Sequence, residues 1–233
     1  MIEIYADGAD IKGIKELNNN PLISGFTTNP SLLKKSGVTN YKDFAIEVLE
    51  HVREKPVSFE VISDNFGEMK EQAEIISSWG GDNIFVKIPI TNTAGKFTTH
   101  IISDLSSAGI KINITAIFTI DQINQSIQAL NNKIGIISIF AGRIEDTGVD
   151  ARPSFEWAKR RMYTRGCGAK LLWASTREIF SIIKAEQCGA DIITVPNNIL
   201  EKLPLRGKNL KEYSLDTVKQ FYRDATESGF TIC

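Results

Sequence analysis

Asn83-Ile84-Phe85-Val86-Lys87-Ile88-Pro89-Ile90 is a short apolar run with one lysine inside it. Its β-branched and aromatic residues, entered from Gly80-Gly81-Asp82, predict a buried strand. A lysine is expensive there, because burial without a partner disfavours the charged amine. Two readings are open. In one, Lys87 lies at a strand end with its stem on apolar surface and its head in water. In the other, the amine has a lowered pKa and attacks a carbonyl to form a Schiff base. The strands on either side decide between them.

Seven further apolar runs read as strands. They cover residues 2–6, 22–26 and 57–62 upstream, and 111–115, 134–140, 170–174 and 191–195 downstream. Helical patterns separate them. Asp10 caps a short helix to Leu17, and Asn29-Pro30 opens one that breaks at Gly37 and resumes over 41–54. Asn65-Phe66-Gly67-Glu68 reads as a capping box for a helix to Trp79, and Thr119 with Gln122 opens a helix to Leu130. Helices are also predicted over 93–107 and 153–165, after strand 7 to Gln187, and briefly from Pro196. A polar linker over 206–212 precedes a last amphipathic helix and tail over 213–233, with Ser214 as its cap.

Strands that alternate with helices demand a parallel sheet. Eight units over about 200 residues sit at the lower end for a closed (β/α)₈ TIM barrel. An open doubly wound sheet is the alternative, but no glycine-rich phosphate loop follows any strand. The chain is therefore predicted to be α/β: a single (β/α)₈ barrel domain over 1–233 with an extra C-terminal helix.

Composition removes several function classes. With 27 basic and 28 acidic residues, the net charge of -1 offers no basic excess for nucleic acid. No apolar run reaches the roughly 18 residues of a membrane span. The N-terminal Met1-Ile2-Glu3-Ile4-Tyr5 is too short and acidic for a signal peptide. Cys167, Cys188 and Cys233 fit no metal spacing and read as reduced thiols of a cytoplasmic protein. His51 and His100 fall in amphipathic helical stretches and read as surface residues.

In a closed barrel the site forms where the strands end. The polar residues there are Asp7, then Thr27 and Asn29, then Glu60, then Lys87, then Asn113 and Thr115. Ser138 follows in strand 6 with Arg143 just beyond, and Ser175 and Arg177 follow strand 7. Seven successive strands thus carry a polar group at nearly the same depth. Single residues have plainer explanations: Ser175 with Glu178 forms a capping-box pattern, Asn29 is a cap, and Arg143 is a loop arginine. Asp7 and Glu60 are harder to dismiss, because carboxylates in apolar strands need partners. One amine and two carboxylates suit covalent carbonyl chemistry with proton transfer. Arg143, Arg177 and Ser175 can hold a phosphate. Together these describe a sugar phosphate lying across the barrel mouth.

Gly25-Phe26-Thr27-Thr28-Asn29-Pro30-Ser31, Phe85-Val86-Lys87-Ile88-Pro89, Gly142-Arg143-Ile144 and Ala174-Ser175-Thr176-Arg177 resemble the motifs of the transaldolases. The likeness runs the length of the chain and points to the small group that includes the fructose-6-phosphate aldolases. It implies that Lys87 is the Schiff-base lysine and Asp7 the base that takes the C4 hydroxyl proton. It implies that Glu60 and Thr115 hold a water for proton transfer. It gives Asn29, Asn113 and Ser138 to the retained dihydroxyacetone unit, and Arg143, Ser175 and Arg177 to the phosphate. No cofactor and no metal are implied. The family's transaldolases carry Glu at position 60 and Phe at position 140, where the fructose-6-phosphate aldolases carry Gln and Tyr. Glu60 and Phe140 therefore favour a transaldolase, moving a three-carbon unit from fructose 6-phosphate to erythrose 4-phosphate in the pentose phosphate pathway. An aldolase that releases free dihydroxyacetone is the alternative, and a barrel that only binds sugar phosphates is another.

Three positions depart from the family pattern: Gly8 for the usual Thr, Ile139 for Pro, and Ala141 for a larger residue. The basic run Lys159-Arg160-Arg161 reads as a solvated helix face. The last helix has an apolar face out of register with the eight βα units. With the resemblance, that face implies a homo-oligomer, a pentamer or decamer.

Overall fold

Eight parallel strands close into one barrel in sequence order, with the first also paired to the eighth. They are β1 (Glu3–Asp7), β2 (Ile23–Thr27), β3 (Val57–Glu60), β4 (Ile84–Pro89), β5 (Ile112–Ile117), β6 (Gly135–Ile139), β7 (Lys170–Trp173) and β8 (Ile192–Pro196). The helices up to β5 are α1 (Ile11–Asn18), α2 (Pro30–Lys35), α3 (Tyr41–His51), α4 (Phe66–Ser77) and α5 (Thr99–Ser107). Those beyond it are α6 (Ile120–Leu130), α7 (Ala141–Glu145), α8 (Arg152–Arg165), α9 (Phe180–Gln187), α10 (Asn197–Leu200) and α11 (Leu210–Glu227). This computed structural model describes residues 2–232 and divides into two compact units, Met1–Leu200 and Glu201–Cys233. The barrel lies wholly in the first, so the fold is the expected (β/α)₈ barrel, and a C-terminal helix is present in the second.

Side-chain alternation along each strand sorts residues between the barrel interior and the helices outside. Outward residues such as Val57, Phe59, Val86, Ile88, Ile114 and Ile137 are fully buried under the helical layer. Full burial of each such side chain contributes about 1.5–3 kcal/mol. The interior floor is an apolar cluster of Tyr5, Ile136, Leu172, Ala174 and Ile192, with Phe85 and Phe140 packed on it. Gly25 makes room for it: a Cβ there would lie 2.6 Å from the Tyr5 ring. Above this floor the interior turns polar.

Several elements depart from the expected bounds, each for a local reason. α5 starts at Thr99 rather than near 93, because Thr91 bridges Phe97 across a turn with Gly95 at φ +74°. β3 stops at Glu60, and Ile62 beyond it is exposed. Arg143 lies on the short helix α7 and not in a loop. Ser175 caps nothing: it sits at φ +64°, α9 begins five residues later at Phe180, and no side chain caps that helix. The capping box at Asn65 is half made. Asn65 accepts from the Gly67 and Glu68 amides, while the Glu68 carboxylate turns to Ser63. At Thr119 and Gln122 both halves form.

In the second unit, Asn209 caps α11 by accepting from the Lys211 and Glu212 amides. Ser214 therefore lies inside the helix, and the second half of the expected linker is helical. The basic run on α8 is only partly solvated, since Lys159 pairs with Asp191 at 2.6 Å and Arg161 donates to Asn124. Cys167 and Cys188 are free thiols, and burial pushes Cys188 up to about 11. Cys233 and Met1 lie outside the described residues. Both histidines are exposed, with His100 edge-on to Phe66. Among the described residues no helix is long and apolar enough to cross a membrane.

Candidate active site

Strand register builds the site. Asp7 stands opposite Thr27, Glu60 opposite Lys87, and Lys87 opposite Asn113. Because paired residues of neighbouring parallel strands share a face, these side chains point together into the barrel. They line a cavity of about 440 Å³ at the strands' C-terminal ends. Its wall includes all twelve residues proposed from the sequence: Asp7, Thr27, Asn29, Glu60, Lys87, Asn113, Thr115, Ser138, Phe140, Arg143, Ser175 and Arg177.

Lys87 does not reach for water. It is 5% exposed, its Nζ donates to the Thr28 carbonyl at 2.7 Å, and it lies 3.0 Å from Glu60 Oε2. The lone lysine of the apolar run therefore has both a carbonyl and a carboxylate as partners. Glu60 is held in turn through its backbone, whose N–H donates to the Tyr41 hydroxyl at 2.7 Å. Tyr41 packs edge-on between Phe59 and Trp79, and burial raises its phenol above the ordinary value.

Asp7, on β1, is buried and feels the charges of both Lys87 and Glu60. Burial raises its carboxyl, opposed first by the Lys87 charge and then by the Thr27 hydrogen bond. The Thr27 hydroxyl donates to Asp7 Oδ1 at 2.8 Å. Just beyond Asp7 the Gly8 N–H donates to the Thr27 carbonyl at 3.1 Å. Asn29 caps α2 by accepting from the Leu32 amide at 3.0 Å, and its side chain also lines the cavity. The helix cap thus stands in the cavity wall.

On the far wall Ser138 donates to Asn113 Oδ1 at 2.6 Å, and Asn113 Nδ2 donates to Ser58 at 3.1 Å. This chain orients the Asn113 amide. Thr115 faces inward by alternation from Asn113, and a bulge just after it brings Ala116 to the same face. Ala116 has φ +57° and the pairing of β5 with β6 slips between Ile114 and Ile117. Thr115 and Ala116, though consecutive, both line the cavity. The Thr115 hydroxyl is buried with no protein partner.

At the rim, the Arg143 guanidinium lies 5.3 Å from the centre of the Phe140 ring. Arg177 pairs with Asp146 at 2.7 Å. Ser175, in its left-handed conformation, presses its carbonyl against Gly142, where a Cβ would lie only 1.7 Å away. Any other residue at 142 would push these two segments apart.

Ser58, Thr194 and Tyr41 were not picked out from the sequence. Ser58 and Thr194 stand one inward step below the strand ends on β3 and β8, so strict alternation back from Glu60 and Pro196 points to both. Tyr41 lies on a helix and carries no such signal. Among the described residues, no three His, Cys, Asp or Glu side chains come together as a metal-holding group.

The fold and the cavity define a barrel with a buried lysine–carboxylate centre and cationic groups at its mouth. The chain belongs to the transaldolase/fructose-6-phosphate aldolase family, whose model matches residues 4–232. A probable transaldolase of Methanococcus maripaludis is 33% identical over 219 residues, 92% of this chain and 97% of that one. A probable transaldolase of Chelativorans sp. is 34% identical over 221 residues, covering 94% and 97%. Among solved structures, the 4-hydroxy-tetrahydrodipicolinate synthase of Methylacidiphilum fumariolicum SolV superposes with a TM-score of 0.61 at 14% identity. That match covers 97% of this chain and 81% of the synthase, and it reflects a shared barrel fold.

Proposed function

We propose that this chain is a transaldolase that carries a dihydroxyacetone unit from fructose 6-phosphate to erythrose 4-phosphate as a Schiff base on Lys87. The observation behind this reading is the Lys87–Glu60 contact of 3.0 Å inside a cavity that also holds Asp7 and Thr115. A lysine must lose its proton before it attacks a carbonyl, and a carboxylate at hydrogen-bond distance can take it.

The neutral amine adds to the C2 carbonyl, and the carbinolamine loses water to give the imine. Glu60 and Thr115 hold the water that moves protons in this step. Asp7 then takes the C4 hydroxyl proton as the C3–C4 bond breaks, and glyceraldehyde 3-phosphate leaves. Asn29, Asn113 and Ser138 keep the three-carbon enamine in place on Lys87. It adds to the erythrose 4-phosphate carbonyl, and hydrolysis of the imine frees sedoheptulose 7-phosphate. Arg143, Arg177 and Ser175 hold the phosphate at the rim. The place of the enzyme is the pentose phosphate pathway of the cytoplasm.

Glu60 and Phe140 support transfer over simple cleavage. Phe140 has no hydroxyl to deliver a proton to the enamine, and its ring is already in contact with Arg143. Borohydride reduction in the presence of fructose 6-phosphate, read by mass spectrometry, is expected to place a dihydroxyacetone-derived adduct on Lys87. Glyceraldehyde 3-phosphate release beyond the first turnover is expected to depend on added erythrose 4-phosphate. No adduct with intact binding would remove the Schiff-base reading. Steady release of free dihydroxyacetone without acceptor would make the chain an aldolase instead.

The partner is a second copy of the same chain. α11 is 18 residues long and buries none of them, with Leu210, Leu215, Val218, Phe221 and Tyr222 all exposed. An apolar face of this length in water needs a cover. Light scattering after size exclusion is expected to give a mass of five or ten chains. A monomer at micromolar concentration would refute the assembly.

A further inference from the structure

We propose that Thr194, on the eighth strand, is a positioning residue that sets the orientation and proton affinity of Asp7 through Thr27. This rests on the reading of Asp7 as the base for C–C cleavage.

Seven strands, or the segments that directly follow them, carry polar residues that the proposed mechanism uses, and β8 carries none of them. Yet Thr194 lines the same cavity and is 5% exposed. It is locked at both ends. Its hydroxyl lies 2.5 Å from that of Thr27, and its carbonyl accepts from the Thr176 hydroxyl at 2.7 Å.

Proton counting gives the chain a direction. A threonine hydroxyl has one hydrogen to donate. The Thr27 hydrogen goes to Asp7 Oδ1, so the 2.5 Å contact is filled by the hydrogen of Thr194. The order is Thr194 to Thr27 to Asp7, with every donor pointing toward the carboxylate. Such chains polarise one another and strengthen the terminal bond. A bond donated to the charged carboxylate favours that form.

The other groups that bear on Asp7 are Lys87 on β4, which favours its charge, Glu60 on β3, which opposes it, and the Asn29 amide after β2. None of them touches Thr194 in the structure's hydrogen-bond network. Removing the Thr194 hydroxyl therefore weakens one contribution to Asp7 and leaves the lysine and its carboxylate in place.

The test compares Thr194→Val, Thr194→Ala and Thr194→Ser with the parent. In Thr194→Val and Thr194→Ala the acid limb of kcat for fructose 6-phosphate cleavage is expected to move up by about half a pH unit. Thr194→Ser restores the parental limb. Borohydride trapping on Lys87 is expected to be equal in all four proteins. An unmoved limb in a folded Val or Ala variant, whatever the change in kcat, overturns the proposal. So does a Ser variant that behaves like Val. Loss of trapping in the parent is a different failure, which removes the Schiff-base reading itself.

Discussion

Lys87→Ala is expected to end turnover of fructose 6-phosphate, with kcat at least about 10⁴-fold lower, because among the described residues no other lysine lines the cavity to form the covalent intermediate. The alanine variant has a second defect. It leaves the Glu60 carboxylate without the ammonium 3.0 Å away, and breaking a buried pair from one side costs about 3–5 kcal/mol. Loss of activity alone would not separate chemistry from folding. Lys87→Arg does. It keeps a cation beside Glu60, so thermal stability is expected to recover toward the parent, while the guanidinium cannot form an imine. Turnover within tenfold of the parent in either variant, measured as glyceraldehyde 3-phosphate release, would disprove the mechanism. An arginine variant that melts no higher than the alanine variant would show that the ion pair does not matter to the fold.

Asp7→Asn is expected to uncouple imine formation from cleavage. The amide keeps the size of the carboxylate and an oxygen that can accept from Thr27, so borohydride should still trap the substrate on Lys87. Cleavage loses its base and slows by about 10²–10⁴-fold. The pH profile adds a sign. Burial raises Asp7 above the ordinary carboxylate range, so the parent loses cleavage as pH falls through that raised value. The asparagine variant should lack this acid limb. Equal cleavage rates in the two proteins, or loss of trapping in the variant, would remove Asp7 from the role of base.

Much of this was legible beforehand, and the reason is the barrel's geometry. Parallel strands of similar length end at one level, so a polar residue that interrupts an apolar run marks a depth as well as a face. Lys87, Glu60 and Ser138 each interrupt such a run, and each lines the cavity. Thr194 escaped because Ile192-Ile193-Thr194-Val195-Pro196 reads as an ordinary strand, where threonine is a common β-former. Ser175 misled in the other direction. Serine three residues before Glu178 looks like a helix start, but a positive φ takes it out of that role, and no local pattern announces a left-handed serine. The bulge at Thr115 and Ala116 is equally silent, because alternation assigns one of the two to the outside. Asn209 and Ser214 are both good caps, and the choice between them depends on how far the apolar stripe of α11 extends toward Leu210.

The contact between Gly142 and the Ser175 carbonyl bears on redesign. The segment after β6 supplies Arg143, and the segment after β7 supplies Ser175 and Arg177. The two meet with no space for a methyl group. They therefore behave structurally as one cassette. A library that recombines either segment alone, to broaden the range of acceptor aldehydes, would mostly sample broken geometries. One that exchanges 140–146 and 174–178 together would keep the joint intact and vary only what faces the cavity.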